Sequence, residues 1–448
     1  MIPKTFLIAN RGEIAIRVIR AAGELGIRTV AVFSEDDTGS LHTIKADEAR
    51  QLRGVGAAAY LDLEQILATA RAADCEAIHP GYGFLSENAH FARRCAEEKI
   101  LFVGPRPEIL EIFGDKVQAR SLAGRCGVPV LAATPGAASL EQAREFFASQ
   151  PAGAAVMIKA IAGGGGRGMR PVHRLEDLDA AYERCQSEAR AAFGNGDVYV
   201  EALMPAARHI EVQIVGDRSG EVSHLWEREC SIQRRHQKLV EVAPSPAISQ
   251  TMRQRLTDAA MRIAQSVNYD GLGTFEFLVG ADDGDEDSFK FIEANPRLQV
   301  EHTVTEEVTG VDLVRTQLLL AAGQSLADLG LRPADLAPPR GFAIQLRINA
   351  ESMGADGIVR PAGGKITAFE APSGAGLRVD TCAYAGYTTN PRFDSLIAKV
   401  IAHSTSPDFA DAVNKAYRAL CEFRIEGVAT NRGFLQALLK HPDFVAHR

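Results

Sequence analysis

The chain has no excess of positive charge. Acidic residues outnumber basic ones by 57 to 49, for a formal net charge of −8. That balance offers no overall field for nucleic acid or anionic lipid, so any phosphate site must be local. No stretch of about 18 apolar residues occurs, which excludes an ordinary membrane-spanning helix. The apolar run after Lys4 covers only residues 5–9 before Asn10-Arg11, too short for the core of a signal peptide. Cysteine is sparse and unpatterned. Cys75, Cys95, Cys126, Cys185, Cys230, Cys382 and Cys421 make seven, an odd number with no CxxC pair. This argues against a disulfide framework or a zinc site and for reduced thiols, and the expected location is the cytoplasm. Internal repeats are absent, and the one biased segment is a short acidic turn at residues 282–287.

What remains is an ordinary globular composition, with 46% hydrophobic and 24% charged residues over 448 positions. That length exceeds what one hydrophobic core serves and predicts about three domains. Residues 5–9 read as a buried strand, 12–25 as an amphipathic helix and 28–33 as a second strand, a βαβ opening with a parallel sheet behind it. The turn Ala9-Asn10-Arg11-Gly12-Glu13 has no GxGxxG fingerprint, so a dinucleotide site there is not expected. Another strand runs into His79-Pro80-Gly81-Tyr82-Gly83, at the kind of strand end where such sheets bind ligands. A helix over 116–125 stops at Gly127-Val128-Pro129. A smaller unit at about 130–203 follows, in which a strand carrying Lys159 enters a glycine-rich turn whose bare N–H groups suit phosphate oxygens. It is not a Walker loop, because the lysine precedes the glycines. A covering helix is expected over 175–193. Alternating strands at 209–215 and 222–228 share a tight turn, and a cationic stretch at 230–238 reads by itself as solvated surface.

Residues 289–306, FKFIEANPRLQVEHTVTE, hold the densest chemistry. Glu293, Asn295, Arg297, Gln299 and Glu301 alternate, and Pro296 ends the strand. Fully extended, the two glutamates would lie roughly 26 Å apart, so a bend is needed to gather them around one centre. Glu276, on the preceding strand (272–279), is expected opposite Glu293. Opposed carboxylates repel unless a cation lies between them; oxygen donors suit Mg²⁺, and Arg297 is near enough to neutralise them instead.

Seven ordered motifs carry a resemblance: HPGYGFLSEN at His79, GDK at Gly114, KAIAGGGGRGM at Lys159, RHIEVQI at Arg208, ECSIQRRHQK at Glu229, EANPRLQVEHTVTEEVTG at Glu293 and RINAE at Arg347. Together they resemble biotin carboxylase, of the ATP-grasp superfamily, along essentially the whole chain. The resemblance implies an α/β fold with a Rossmann-like N-terminal domain (1–114), an ATP-grasp domain (115–330, mobile lid about 130–203) and a C-terminal domain (331–448). It implies carboxylation of biotin N1′ through carboxyphosphate, using ATP, bicarbonate and Mg²⁺ or Mn²⁺, with biotin attached to a carrier protein or domain. A carboxyltransferase would complete the pathway to pyruvate or an acyl-CoA.

Carried over by motif, Lys116 and Lys159 resemble the phosphate-holding lysines, and Gly165, Gly166 and Met169 the lid over the nucleotide. Glu201 with the backbone of Leu203 and Met204 is similar to the adenine hinge, His209, Gln233 and His236 to the ribose and phosphate contacts, and Leu278 to the residue packing the base. Glu276, Glu293 and Asn295 match the metal ligands. Lys238, Arg297, Gln299 and the Val300 backbone match the bicarbonate pocket, Glu301 the base, Arg347 the residue steadying the biotin enolate, and Tyr82 and Gly83 the biotin side. Arg20, Glu24 and Arg378 match homodimer contacts, against which Ala375 stands where some dimeric members carry an aromatic residue. The wording of the 295–310 stretch leans toward pyruvate carboxylase and large multidomain acyl-CoA carboxylases, so a subunit and one domain of a longer polypeptide are both open. No AMKM-type biotinylation motif occurs, and biotin is expected from elsewhere. Two rival readings keep parts of this set. Another ATP-grasp ligase would retain the lysines and metal acids without the bicarbonate and biotin groups, and a non-catalytic nucleotide scaffold would have lost a metal acid or the base.

Overall fold

A computed structural model describes residues 2–161, 168–280, 289–354 and 357–447. The opening βαβ unit forms as its apolar pattern dictates. Strands β1 (Thr5–Ile8), β2 (Arg28–Phe33), β3 (Glu48–Gln51), β4 (Ala77–His79) and β5 (Leu101–Phe102) make one parallel sheet in the order β3-β2-β1-β4-β5. Helix α1 (Gly12–Glu24) buries Ile14, Val18, Ile19 and Ala22 against Phe6 and Ile8 on one face of that sheet. The other face closes over Leu7, Val30, Tyr60 and Phe91.

Helix α2 (Lys116–Arg125) starts at an Asp115 cap, whose carboxylate accepts from the amides of Val117 and Gln118. Beyond it lies a small antiparallel sheet, β7-β6-β8, of β6 (Val156–Ala160), β7 (Met169–Val172) and β8 (Val198–Ala202). The covering helix predicted over 175–193 is two elements, a 3₁₀ turn at Leu175–Asp177 and then α3 (Leu178–Phe193). Its Leu178, Tyr182 and Cys185 pack on Val156, Ile158 and Val200. Gly165 and Gly166 lie outside the described residues, as does the acidic turn at 282–287.

Among the described residues, the largest sheet is antiparallel and has eight strands. Its members are β9 (Ala207–Gly216), β10 (Val222–Arg234), β11 (Gln237–Ala243), β12 (Gly271–Gly280), β13 (Phe289–Asn295), β14 (Phe342–Asn349), β15 (Leu377–Thr381) and β16 (Leu396–Ser404). They run in the order β13-β12-β9-β10-β11-β14-β16-β15. Alternation along β9, β12 and β13 sorts the two faces. Ile210, Val212, Phe275, Phe277 and Phe291 go to a core under helix α4 (Gln250–Ser266), while Glu211, Gln213, Thr274 and Glu276 line the opposite face. The sheet is continuous through β11 and β14, which pair Val240 with Leu346 and Ala243 with Ala343, so the chain boundary expected near 330 is not a boundary of the sheet. Helix α6, Phe409–Glu422, covers the far end, following α5, His302–Thr309. Among the described residues, no helix is long and apolar enough to cross a membrane.

Candidate active site

The expected pairing is present: Glu276 of β12 lies in register with Glu293 of β13, with a bulge between Glu276 and Phe277. Pro296 follows the end of β13, and the chain turns through 296–301 into α5. The turn gathers the alternating polar groups. Asn295 Nδ2 and Gln299 Nε2 donate to Glu276 Oε1 at 2.9 and 3.2 Å. Arg297 donates to Asn295 Oδ1 (3.2 Å) and Gln299 Oε1 (2.9 Å). Its salt bridge is not to either acid of the pair, the alternative the sequence left open; its Nε goes to Glu87 of the HPGYGFLSEN segment, at 3.0 Å. Two lysines take that place, Lys238 at 3.0 Å from Glu276 and Lys116 at 3.7 Å from Glu293.

Lys238 overturns the solvated reading of the cationic stretch. It enters on β11 just after a hairpin turn at Arg235-His236, both in the left-handed region. Its ammonium binds three carboxylates: Glu211 (2.6 Å), Glu301 (2.7 Å) and Glu276 (3.0 Å). Arg347 of β14 donates to Glu301 Oε2 at 3.0 Å and to Glu241 Oε1 at 2.5 Å. Burial alone would raise the Glu301 carboxyl, but the charges of Lys238, Arg347 and Arg228 outweigh it and hold the group far below its usual range. Glu276 is likewise held low, with burial opposed by Lys238 and His209. Glu241, by contrast, is pushed up, because burial and nearby Glu301 offset Arg347.

At the other end of the cleft, Lys159 and Met169 are register partners on β6 and β7. Lys159 pairs with Glu201, which also accepts from Arg120 (2.6 Å) and the Tyr199 hydroxyl (3.2 Å). The Leu203 amide donates to the Ala155 carbonyl at 2.9 Å, and Met204 follows it. His209 faces Leu278 across β9 and β12 and stands with Nε2 2.7 Å from Glu276, while Gln233 donates to its Nδ1 at 3.0 Å. Partial burial and the Lys159 charge lower the His236 imidazole.

Tyr82 gives its hydroxyl to Glu13, Gly83 beside it is exposed, and Lys399 holds the Val300 carbonyl at 3.2 Å. Arg20 and Glu24 are exposed on α1, as is Ala375, whereas Arg378 is bound within the chain to Asp380 (2.8 Å) and Glu306 (2.7 Å). Sequence reasoning had passed over Glu211, Glu241, Arg228 and Glu87. Glu211 shares its strand face with His209 and Gln213, a signal that was available. Arg228, wholly buried, binds Glu211 (2.6 Å), Gln213 (2.8 Å) and Thr305 (2.9 Å), so it braces Glu211 from behind.

The residue types fit a hard divalent cation: the carboxylates of Glu276 and Glu293 on register partners, with the Asn295 amide beside them, its Nδ2 on Glu276 and its Oδ1 accepting from Arg297. Among the described residues, His209, Glu211 and Glu276 also present ligand atoms close together.

Three family models match the chain end to end. They are "Biotin carboxylase, N-terminal domain" over residues 2–110, "Carbamoyl-phosphate synthase L chain, ATP binding domain" over 115–329, and "Biotin carboxylase C-terminal domain" over 345–448. Pyruvate carboxylase of Bacillus subtilis is 49% identical over 98% of the chain, and the mitochondrial pyruvate carboxylase of Homo sapiens 49% over 99%. The chain spans only 38% and 37% of those two relatives. Among solved structures, the biotin carboxylase domain of Hydrogenobacter thermophilus 2-oxoglutarate carboxylase, complexed with MgADP, ADP and bicarbonate, superposes with a TM-score of 0.94 at 41% identity, over 100% of this chain and 96% of that one. A biotin carboxylase from Campylobacter jejuni gives 0.92 at 38% identity, covering 100% and 97%.

Proposed function

The chain belongs to the biotin carboxylase family of carboxylating ligases, and on that premise we propose that it carboxylates biotin N1′ with ATP and bicarbonate. The observation that carries this reading is Glu301, ionised and gripped between Lys238 and Arg347 beside the Glu276–Glu293 pair. A general ATP-grasp ligase would need the lysines and acids but has no use for this clamp.

In the proposed reaction, bicarbonate enters between Arg297, Lys238, Gln299 and the Val300 backbone. As the anion draws Lys238 and Arg347 onto itself, Glu301 loses part of its stabilisation and its proton affinity rises toward that of a base. Glu301 then takes the bicarbonate proton while the freed oxygen attacks the γ-phosphorus of ATP, giving carboxyphosphate and ADP. Lys116 and Lys159 offset charge on the phosphates, and Lys159 can exchange Glu201 for a phosphate oxygen. Glu276, Glu293 and Asn295 would hold Mg²⁺ or Mn²⁺, which supplies charge neutralisation to the transferred phosphoryl group. Carboxyphosphate yields CO₂ and phosphate, the phosphate accepts the N1′ proton, and Arg347 stabilises the biotin enolate that attacks CO₂.

The nucleotide would lie against Leu278, His209, Gln233 and His236, with Glu201, Leu203 and Met204 at the base and Met169 above it. Tyr82 and Gly83 line the biotin side. Biotin arrives on a carrier protein or domain, and a carboxyltransferase uses the product. A homodimer through the α1 face and a cytoplasmic location, in keeping with seven free cysteines, complete the proposal.

The deciding experiment is ATP hydrolysis with bicarbonate, with and without free biotin, followed by trapping of labelled carboxybiotin. Biotin-stimulated turnover with trapped product is expected. Turnover indifferent to biotin would point to a different ligase.

A further inference from the structure

The turn after β1 has no phosphate fingerprint and no part in the reaction above, yet it is buried against the loop that carries Tyr82. Asn10, 2% exposed, donates from Nδ2 to the carbonyls of Pro80 (2.7 Å) and Tyr82 (2.8 Å). The loop passes so close that a Cβ on Gly81 would stand 2.6 Å from that same nitrogen, at a φ of +65°. Three residues on, buried Glu13 accepts the Tyr82 hydroxyl through Oε1 and turns Oε2 to the Lys399 ammonium at 2.9 Å.

Lys399, on β16, is wholly buried. Besides Glu13, it donates to the Val300 carbonyl at 3.2 Å and lies 3.9 Å from Asp380. One ammonium thus joins α1, the 296–301 turn and the last strands of the large sheet. Removing two such charges from water costs several kcal/mol per ion, and a well-packed apolar pair of similar volume often serves stability as well or better. What the pair adds is direction. It fixes a hydroxyl on one side and a backbone segment on the other, at the junction of three parts of the chain.

We propose that Glu13 and Lys399 are positioning residues, which hold the Tyr82 hydroxyl and the Val300 backbone in register and so set the affinity of the site for the ureido ring of biotin. Neither touches a nucleotide-side residue. The inference rests on the function proposed above, in which Tyr82 faces biotin. It accounts for the Asn10–Glu13 turn, which the nucleotide half of the site leaves without a task.

The test compares Glu13→Gln, Tyr82→Phe and their double variant in the full chain. Amide hydrogen exchange at residues 80–84, KM for free biotin and ADP affinity are measured for each. Either single change should raise the biotin KM about tenfold, the order expected for a hydrogen bond to a charged group, with ADP affinity unchanged. The double variant should be no more than about twofold worse than the poorer single, because both act through one contact. Exchange at 80–84 should quicken in each. Additive penalties, or unaltered exchange, would overturn the proposal. Should Glu13→Gln fail to fold, Tyr82→Phe removes only one oxygen and carries the same exchange test. If the wild-type chain ignores biotin while exchange still responds, the functional reading fails and only the bracing of the 80–84 loop by Glu13 stands.

Discussion

The carboxylate of Glu301 meets two cations, Lys238 at 2.7 Å and Arg347 at 3.0 Å, and it is this pair that keeps a buried acid ionised. A base so stabilised is weak until its partners are diverted, which ties its activation to arrival of the substrate anion. Glu301→Gln keeps the shape and removes the proton acceptor, so kcat for biotin carboxylation should fall by about 10²- to 10⁴-fold. Single-turnover assays of labelled carboxybiotin check this, and a loss under tenfold would remove Glu301 from the role of base. Arg347→Ala should abolish carboxybiotin formation while ADP titration stays within about twofold, since its bonds are to Glu301 and Glu241 and none is to the nucleotide side. Glu276→Gln belongs to the other end of the network. It should raise the Mg²⁺ concentration needed for half-maximal turnover, and an unchanged Mg²⁺ dependence would count against ligation. Of these residues, Glu276 stood out in the sequence among apolar neighbours on a strand, and Glu293 and Glu301 as members of an alternating polar set. Glu241, equally buried, did not, because its partner Arg347 lies on a strand over a hundred residues away and only sheet pairing joins them.

At the level of elements, what was legible followed from local alternation, and what was not followed from broken alternation. From Thr274–Asn295 to Glu276–Glu293 the register of β12 and β13 is unbroken, and its shift falls just beyond, between Glu276 and Phe277, so the two glutamates stand opposed as expected. Along β10 and β11 the register shifts twice, between Glu229 and Ile232 and again between Ile232 and Gln233. Past those bulges, parity no longer tells which of residues 230–238 face inward, and Lys238 looked like solvated surface. The same hairpins carry a stability prediction. Phe275, wholly buried, sits one residue before Glu276 and points to the opposite face, against Phe113, Tyr269 and Phe291. Phe275→Ala should cost about 3–5 kcal/mol and loosen the strand that presents Glu276. Thermal melts with and without MgADP check it. A midpoint within a degree of wild type would mean the aromatic cluster does not hold the strand.

Across the whole molecule, acid should act in two stages, and the first belongs to two buried histidines. His42, against the Val32 carbonyl, and His79, between Gln317 and the Gly81 amide, are both buried, and burial pushes each imidazole down to about 4. For His42 the neighbouring Asp37 opposes that shift and Arg11 reinforces it. Above about pH 6.5 both rings are neutral in the folded and unfolded chain and contribute no pH dependence. Between about 6.5 and 4 the unfolded chain binds protons that the folded chain refuses, so stability falls as pH falls, by up to about 3 kcal/mol for each ring. The carboxylates held low by cations, Glu301, Glu276 and Asp380 among them, keep their contribution through that window and lose it only as pH drops below the usual carboxylate range. His42→Gln can keep the bond to the Val32 carbonyl without the titration. Its melting midpoint should therefore depend less on pH than that of the wild type between pH 6.5 and 4.5, with the two curves parallel above pH 7. Urea midpoints across that range would decide it. Equal slopes in variant and wild type would show that His42 accepts its proton in the folded state, and would leave His79 to carry the sensitivity in this window.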